Sequence, residues 1–191
     1  SKSELIKLKK KLSKYKIRKI DIFCDLEKEV SRIELYKKIK DKKIKINCLI
    51  NNASMTGSSD GNGWNTKFQK QSLMMWRKGI EINLTAVFHL TQLFMNDLKK
   101  SKGANIINIA SIYGELEPDW SLYKGTNMNN PASYSVSKGG LIQFTRWAST
   151  TLSPKIRVNA ISPGGIKRNQ PKSFIKKYIS RTPLKRMATE S

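Results

Sequence analysis

The sequence is poor in the residues that build metal sites and disulfides. Its 191 residues include one histidine, His89, and two cysteines, Cys24 and Cys48. A lone histidine without a CxxC pair cannot assemble a metal centre, so we predict no bound metal. Both cysteines lie in apolar, strand-like segments and are predicted to be buried, reduced thiols.

Long apolar runs are also missing. A membrane-spanning helix needs a run of about eighteen or more apolar residues, and the sequence contains none, so we predict no membrane segment. The opening residues, SKSELIKLKKKL, have neither an apolar core nor a cleavage pattern, which argues against a signal peptide. These features together lead us to expect a cytoplasmic protein.

Acidic residues are scarce: 14 Asp and Glu stand against 37 Lys and Arg, for a formal charge of +23. Such a charge is typical of chains that bind acidic partners such as nucleic acid. Here, however, the basic residues are mostly lysines spread along the chain, and arginine, the better reader of phosphates and bases, is sparse. We therefore expect salt-sensitive, non-specific contact with polyanions and no specific nucleic-acid partner.

The composition is otherwise that of a globular protein. A hydrophobic content of 38% with four tryptophans can form a core, and 191 residues fit a single domain spanning residues 1–191. Apolar runs predict strands at Lys19–Leu26, Ile44–Ile50, Asn105–Ala110 and within 156–166. Helical periodicity predicts helices near residues 3–13, 27–41, 70–79, 83–99, 132–152 and 173–179. Strands that alternate with helices favour an α/β fold with a parallel sheet.

One of these strands and one of these helices carry the candidate reactive side chains. The strand Asn105–Ala110 ends in small residues, so Ser111 is predicted at the carboxyl end of a buried strand. The following helix places Tyr134 and Lys138 four residues apart, on one face. An ammonium close to a phenol favours the phenolate, which suits a tyrosine that transfers protons. The spacing alone is weak, because tyrosine and lysine are also common on solvated helix faces.

The neighbouring segments strengthen this interpretation. In order, the chain carries the turn Asn51-Asn52-Ala53-Ser54, Asn83 at the head of an apolar helix, Ser111, the Tyr134–Lys138 pair and the turn Pro163-Gly164. This ordered set resembles the short-chain dehydrogenase/reductase family. The resemblance implies a Rossmann-like, doubly wound parallel sheet and an oxidoreductase that uses NAD or NADP.

The resemblance also assigns roles to individual residues. It implies that Tyr134 is the general acid/base, that Lys138 supports it and binds the nicotinamide ribose, that Ser111 holds the substrate oxygen, and that Asn83 positions a water. It implies cofactor contacts from Asp25, Asn52, Ala53, Pro163, Gly164 and Ile166. For Asp25 a local helix-capping role is compatible with this. Family members pair through the helices that carry Asn83 and Tyr134, so a homo-oligomer is expected.

The chain departs from the family pattern at two places. Ser54 stands where glycine is usual, which would cause strain if that position required a positive φ. Between Ser111 and Tyr134 lies a longer segment, residues 114–131, with the sequence GELEPDWSLYKGTNMNNP. A similar insertion with a YxGT sequence occurs in a subgroup linked to flagellin modification and legionaminic-type sugar synthesis. The insertion is therefore either a substrate loop, suggesting a sugar derivative, or a purely structural loop.

A glycine-rich phosphate-binding turn of the TGxxxGxG kind appears nowhere in the sequence. By the family pattern, we expect an incomplete domain that lacks the first two strands, with this loop, and the last strand. Such a sheet would have a central gap; the chain would then be marginally stable, inactive, or forced to pair the strands at 19–24 and 44–50 directly.

The sequence thus predicts an NAD(P)-dependent oxidoreductase that interconverts a secondary alcohol and a ketone. The alternatives are an inactive fragment or pseudoenzyme of the same family, acting at most as an interaction module, and a basic nucleic-acid binder.

Overall fold

The centre of the molecule is a three-stranded parallel sheet. The computed structural model describes residues 12–56 and 62–190, so most of the helix predicted at residues 3–13 lies outside the described residues. The strands are β1 (Cys48–Asn51), β2 (Asn105–Ile109) and β3 (Arg157–Ile161). They are ordered β1-β2-β3, and Ile106 of β2 lies opposite both Leu49 and Val158. The parallel α/β arrangement predicted from the sequence is confirmed.

Helices connect these strands, as parallel pairing requires. They are α1 (Glu29–Asp41), α2 (Leu73–Ile80), α3 (Ala86–Lys99), the short α4 (Trp120–Tyr123), α5 (Ala132–Thr151) and α6 (Lys172–Arg181). A π-helical turn, Glu81–Thr85, joins α2 to α3, and the residues Ile112–Gly114 form a single 3₁₀ turn after β2. The predicted helices between residues 27 and 179 therefore all exist, with ends shifted by at most three residues.

The hydrophobic core lies between one face of the sheet and helices α3 and α5. Ile106 and Val158 point from the sheet into this layer, where they meet Phe94 and Leu98 of α3 and Ala148 of α5. Each fully buried aliphatic side chain stabilises the fold by about 1.5–3 kcal/mol. Burial of these apolar side chains therefore fixes where the helices sit on the sheet.

The opposite face of the sheet is open in the described parts of the chain. Ile50 of β1 and Ile161 of β3 are 58% and 51% exposed, and Cys48 is exposed as well. The prediction of a buried Cys48 is therefore wrong, because strand β1 buries only its other face. Cys24 is half-buried, and both thiols are free.

The predicted strand Lys19–Leu26 does not form. The chain runs extended there without ladder hydrogen bonds, and strand β1 pairs with β2 alone within the described residues. A strand is stable only when a neighbour accepts its backbone hydrogen bonds, and the direct pairing of this segment with β1 considered above does not occur.

The apolar spacing of α1 predicts Val30, Ile33, Leu35 and Ile39 on its inner face, and Leu35 and Ile39 do pack against the hydrophobic core. Val30, predicted to point inward, is 67% exposed, whereas Arg32 is buried. The Arg32 guanidinium donates to Leu26 O, to Glu81 Oε1 at 2.7 Å and to His89 Nδ1 at 3.0 Å. This buried ion pair joins α1 to the π-helical turn. His89 is thus a packing residue, and no group of three metal-ligating side chains occurs in the described ranges.

The apolar residues Leu73, Met74 and Trp76 of α2 are predicted from the sequence to enter the core, and the structure differs. Leu73 and Met74 are exposed, and Met75 is the residue that enters the core with Trp64. Ser72 caps the helix by accepting a hydrogen bond from Met75 N–H. Among the described residues, no helix is long and apolar enough to cross a bilayer.

Candidate active site

Ser111 lies immediately beyond the carboxyl end of β2 and is almost fully buried. Its Oγ accepts a hydrogen bond from Tyr113 N–H at 3.2 Å, which caps the 3₁₀ turn Ile112–Gly114. Ile112 N–H donates to Pro163 O at 3.2 Å and so ties the end of β2 to the end of β3. No acceptor for the Ser111 hydroxyl proton is seen among the described residues. The hydroxyl can therefore donate to a ligand.

Lys138 lies on the inner face of α5 and is only 3% exposed. Its Nζ donates to Ile109 O at 2.7 Å, at the last residue of β2, and lies 5.8 Å from the centre of the Tyr134 ring. Burial lowers the pKa of Lys138 to about 8. The side chain therefore remains a cation at neutral pH, and it is held beside the phenol as the sequence spacing predicted.

Gly114 allows the serine turn to pack directly on α5. A Cβ at this position would lie 2.7 Å from the Lys138 carbonyl carbon and 2.8 Å from its oxygen, closer than any real Cβ contact. Because only glycine fits there, the turn that carries Ser111 lies against the turn of α5 that carries Lys138. The two elements predicted to form the site are thus neighbours.

Tyr134 lies in the first turn of α5, where its N–H donates to Pro131 O. Its ring is half-buried and packs against Met55, Trp64 and Met75. Ser133 is buried and donates its hydroxyl to Trp76 O at 2.8 Å. The first turn of α5 is therefore held by contacts with the loop after β1 and with helix α2.

Asn83 lies in the π-helical turn and is fully buried. Its Oδ1 accepts from Met55 N–H at 2.7 Å and from the Ser54 hydroxyl at 3.0 Å, and its Nδ2 donates to Met55 O and Ser137 Oγ. These four contacts use the full hydrogen-bonding capacity of an amide side chain. Asn83 therefore fixes the loop after β1 against α5.

Ser54 is a site residue that the sequence pattern did not identify. It does not adopt the positive φ that would make a serine strained, since the non-glycine residues with positive φ are Lys43 and Lys185. Its hydroxyl instead contacts Asn83, as described above. A serine in place of glycine adds a hydrogen bond here, and only the folded arrangement shows this.

The residues predicted to bind a cofactor fall into two groups. Asn52, Ala53 and Gly164 are exposed at the carboxyl edge of the sheet, beside half-buried Pro163, where parallel sheets place ligands. Ile166 lies just beyond them and bridges to Ala188. Asp25 is part of a local turn, because its Oδ1 accepts from Glu27 N–H at 3.2 Å and its carboxylate lies 3.7 Å from Lys28 Nζ.

The insertion, residues 114–131, contains helix α4 and packs under helix α6. Lys177 of α6 donates to Ser121 O and Lys124 O, and Arg181 forms a 3.1 Å ion pair with Asp119. Tyr123 of α4 contacts the ring of Phe174. The insertion and α6 are therefore packed against each other.

A parallel sheet with α3 and α5 packed on it, and with polar side chains at its carboxyl edge, defines a Rossmann-like α/β protein. The family model for short chain dehydrogenase matches residues 1–178. The chain belongs to the short-chain dehydrogenase family, as its sequence motifs indicated.

Individual relatives agree with this assignment. The chain is 34% identical over 170 residues to 3-oxoacyl-[acyl-carrier-protein] reductase FabG of Buchnera aphidicola subsp. Schizaphis graminum, covering 86% of this chain and 63% of the relative. It is 34% identical over 102 residues to post-translational flagellin modification protein A of Campylobacter coli, covering 53% of this chain and 40% of that protein. The chain thus spans less than two thirds of the length of these curated relatives.

A solved structure shares the fold over almost the whole chain. The short chain dehydrogenase from Leptospira borgpetersenii with bound NAD⁺ superposes with a TM-score of 0.78 at 30% identity, over 97% of this chain and 75% of that one. The incomplete Rossmann-like sheet predicted from the sequence is therefore supported by both fold and family.

Proposed function

We propose that this chain is the catalytic part of an NAD(P)-dependent oxidoreductase that interconverts a secondary alcohol and a ketone by hydride transfer. The observation that carries the proposal is the buried Lys138 cation, held by Ile109 O at the end of β2 and beside the Tyr134 ring. Burying a charged lysine costs free energy. The contact with Ile109 O holds the Lys138 ammonium between β2, which Ser111 follows, and α5, which carries Tyr134. In this proposal residues 1–191 form one partial NAD(P)-binding domain.

In the reductive direction Tyr134 Oη gives its proton to the substrate oxygen, and in the oxidative direction it takes that proton back. The Lys138 ammonium stabilises the phenolate that forms on Tyr134. Ser111 Oγ, whose lone pair already accepts from Tyr113 N–H, donates its own proton to the substrate oxygen and so stabilises charge that develops there.

The chain fits the nicotinamide end of such a cofactor. Lys138 and Tyr134 would bind the nicotinamide ribose, and Pro163, Gly164 and Ile166 would line the ring. Ala53 and Gly164 are exposed and have small side chains or none, so they leave the carboxyl edge of β1 and β3 open to the cofactor. Asn52, Ala53 and Asp25 would face the adenosine side. The bound cofactor supplies the hydride.

Asn83 has a more limited role than its motif suggests. Because its amide is saturated by Met55, Ser54 and Ser137, its side chain has no capacity left for a water. A water that links Lys138 to solvent would be held by the main chain of the π-helical turn. Such turns are common at functional sites because they release backbone groups from the regular helical pattern.

We propose a sugar derivative as the substrate. The insertion contains Trp120, Tyr123 and Asp119, and Tyr123 contacts Tyr113 in the turn that follows Ser111. Aromatic rings with polar groups suit a polyhydroxylated ligand. The flagellin modification relative in Campylobacter coli is consistent with this, whereas the FabG relatives, named as 3-oxoacyl-[acyl-carrier-protein] reductases, suggest an acyl substrate.

A homo-oligomer is part of the proposal. Phe88 of α3 and Trp147 of α5 are 45% and 56% exposed, and both rings contact Phe144. An exposed aromatic patch on two adjacent helices is typical of an interface. Sedimentation of the wild type against Trp147→Glu tests it, since a buried charge would shift the protein to monomer.

The rival function is an inactive member of the family, supported by the absence of a glycine-rich phosphate loop from the sequence. Titration with NADH and NADPH, followed by tryptophan fluorescence, separates the two. Saturable binding favours the enzyme, and no binding to the full-length protein favours the inactive form.

The hydride step is tested with NADH or NADPH deuterated at nicotinamide C4, in the full-length protein with a panel of ketones. We expect deuterium on the carbinol carbon of the alcohol product. Cofactor binding without transfer to any ketone would reject the proposed reaction.

A further inference from the structure

Two phenols meet beside the candidate serine: Tyr113 lies outside the motifs described above, and Tyr123 is the tyrosine of the YxGT sequence in the insertion. Tyr113 comes two residues after Ser111, and its N–H donates to Ser111 Oγ. Its hydroxyl lies 2.8 Å from the hydroxyl of Tyr123, which the insertion supplies from helix α4. The insertion therefore reaches the site through this contact.

The Tyr113–Tyr123 pair has more O–H donors than the contact between the two phenols uses. Two phenols contain two O–H groups, and the contact between them uses only one. No acceptor for the second proton is seen among the described residues, although Tyr123 is only 8% exposed. Tyr113 is half-buried, so the pair reaches from the packed interior of the insertion to the accessible side of the turn.

The surroundings keep both phenols protonated. Burial raises the pKa of Tyr113 and of Tyr123, and neighbouring Tyr178 and Tyr134 raise both further. Tyr178 of α6 itself accepts a hydrogen bond from Gly165 N–H at 2.6 Å. The Tyr113–Tyr123 pair therefore keeps its hydroxyl protons at neutral pH and can donate a hydrogen bond.

We propose that Tyr113 and Tyr123 form a second substrate contact, in which their spare O–H donates to a substrate oxygen other than the one that reacts. This inference rests on the proposed function. An alkyl chain placed against the pair would leave a buried donor without a partner, which disfavours binding. The pair therefore selects oxygen-rich substrates, such as polyols or sugars, over simple alkyl ketones.

The test compares two six-carbon ketones, 2-hexanone and the open-chain keto form of D-fructose, with the kcat/KM of D-fructose calculated on the concentration of that open form. In the full-length protein we expect higher kcat/KM for D-fructose. Tyr113→Phe should lower this value about tenfold, the effect of one lost hydrogen bond, and should lower the value for 2-hexanone by less than threefold. Tyr123→Phe should cause the same two losses. The second variant keeps the test valid if one of the two folds poorly.

Tyr36→Phe is the matched control, because it removes a phenol hydroxyl that contacts Asp97 at 3.1 Å, on the far side of α3 from the site. It should leave the preference between the two ketones as in the wild type. Equal losses on both ketones in Tyr113→Phe would show a structural role and overturn the inference. A wild type that prefers 2-hexanone would overturn it while the proposed function stands. Reduction of neither ketone would count against the proposed function itself.

Discussion

Replacing Lys138 with methionine should remove a pH-dependent part of the stability. Burial lowers the pKa of Lys138 from 10.5 to about 8, so the folded chain gives up this proton at lower pH than the unfolded chain does. Below both pKa values Lys138 is charged in the folded and in the unfolded chain, so the full cost of burying a charge lowers the stability of the fold. Between them the unfolded state binds more protons, so stability rises with pH.

The size of the effect follows from the shift. A difference of about 2.5 units corresponds to about 3 kcal/mol of unfolding free energy gained between pH 8 and 10.5. Methionine fills a similar volume without a charge, so the Lys138→Met variant should lack this gain. Groups remote from Lys138 that titrate in the range, including Tyr36 with its raised pKa, are common to both proteins and cancel in the comparison.

The assay is urea unfolding followed by tryptophan fluorescence, at pH values from neutral to about 10.5. Lys37→Met, at an exposed position of α1, is the matched control and should keep the wild-type pH dependence. An identical pH dependence in the wild type and in Lys138→Met would refute the argument, because it would mean that Lys138 is not desolvated in the folded chain.

Three further changes test the site. Ser111→Ala in the full-length protein should lower kcat about 10²–10³-fold, as for the loss of one transition-state donor, which steady-state kinetics would show. Asn83→Ala should cost about 2–4 kcal/mol of stability in urea unfolding, because it leaves buried partners unsatisfied; a cost below about 1 kcal/mol would contradict the hydrogen-bond network. Gly114→Ala should lower the melting temperature more than Gly140→Ala, since its Cβ meets helix backbone at 2.7 Å and that of Gly140 meets only the flexible end of Leu84.

The site was predictable from the sequence where local rules determine geometry. A spacing of four on a helix places Tyr134 and Lys138 together whatever surrounds them. Likewise, an apolar run that ends in small residues places Ser111 at the carboxyl end of a strand. The structure agrees with both, because neither depends on a distant partner.

The errors arose where a distant partner decides the outcome. Residues 19–26 have a strand-like pattern but no neighbour among the described residues to pair with. Arg32 is buried because Glu81 and His89, which lie far along the sequence, accept its hydrogen bonds. The sequence did not predict the π-helical turn around Asn83, because its five residues, Glu81–Thr85, are too few to show a change of period in the apolar spacing.

The turnover of Tyr134→Phe in the full-length protein tests the account most directly. We expect ketone reduction to fall by at least about a hundredfold, since the proton-transferring group is lost. NADH or NADPH should still quench tryptophan fluorescence, with an affinity lowered about tenfold at most, because Tyr134 contributes one hydrogen bond to the ribose. A variant that still reduces ketones at the wild-type rate would show that another group transfers the proton and would contradict the role given to this tyrosine and its lysine.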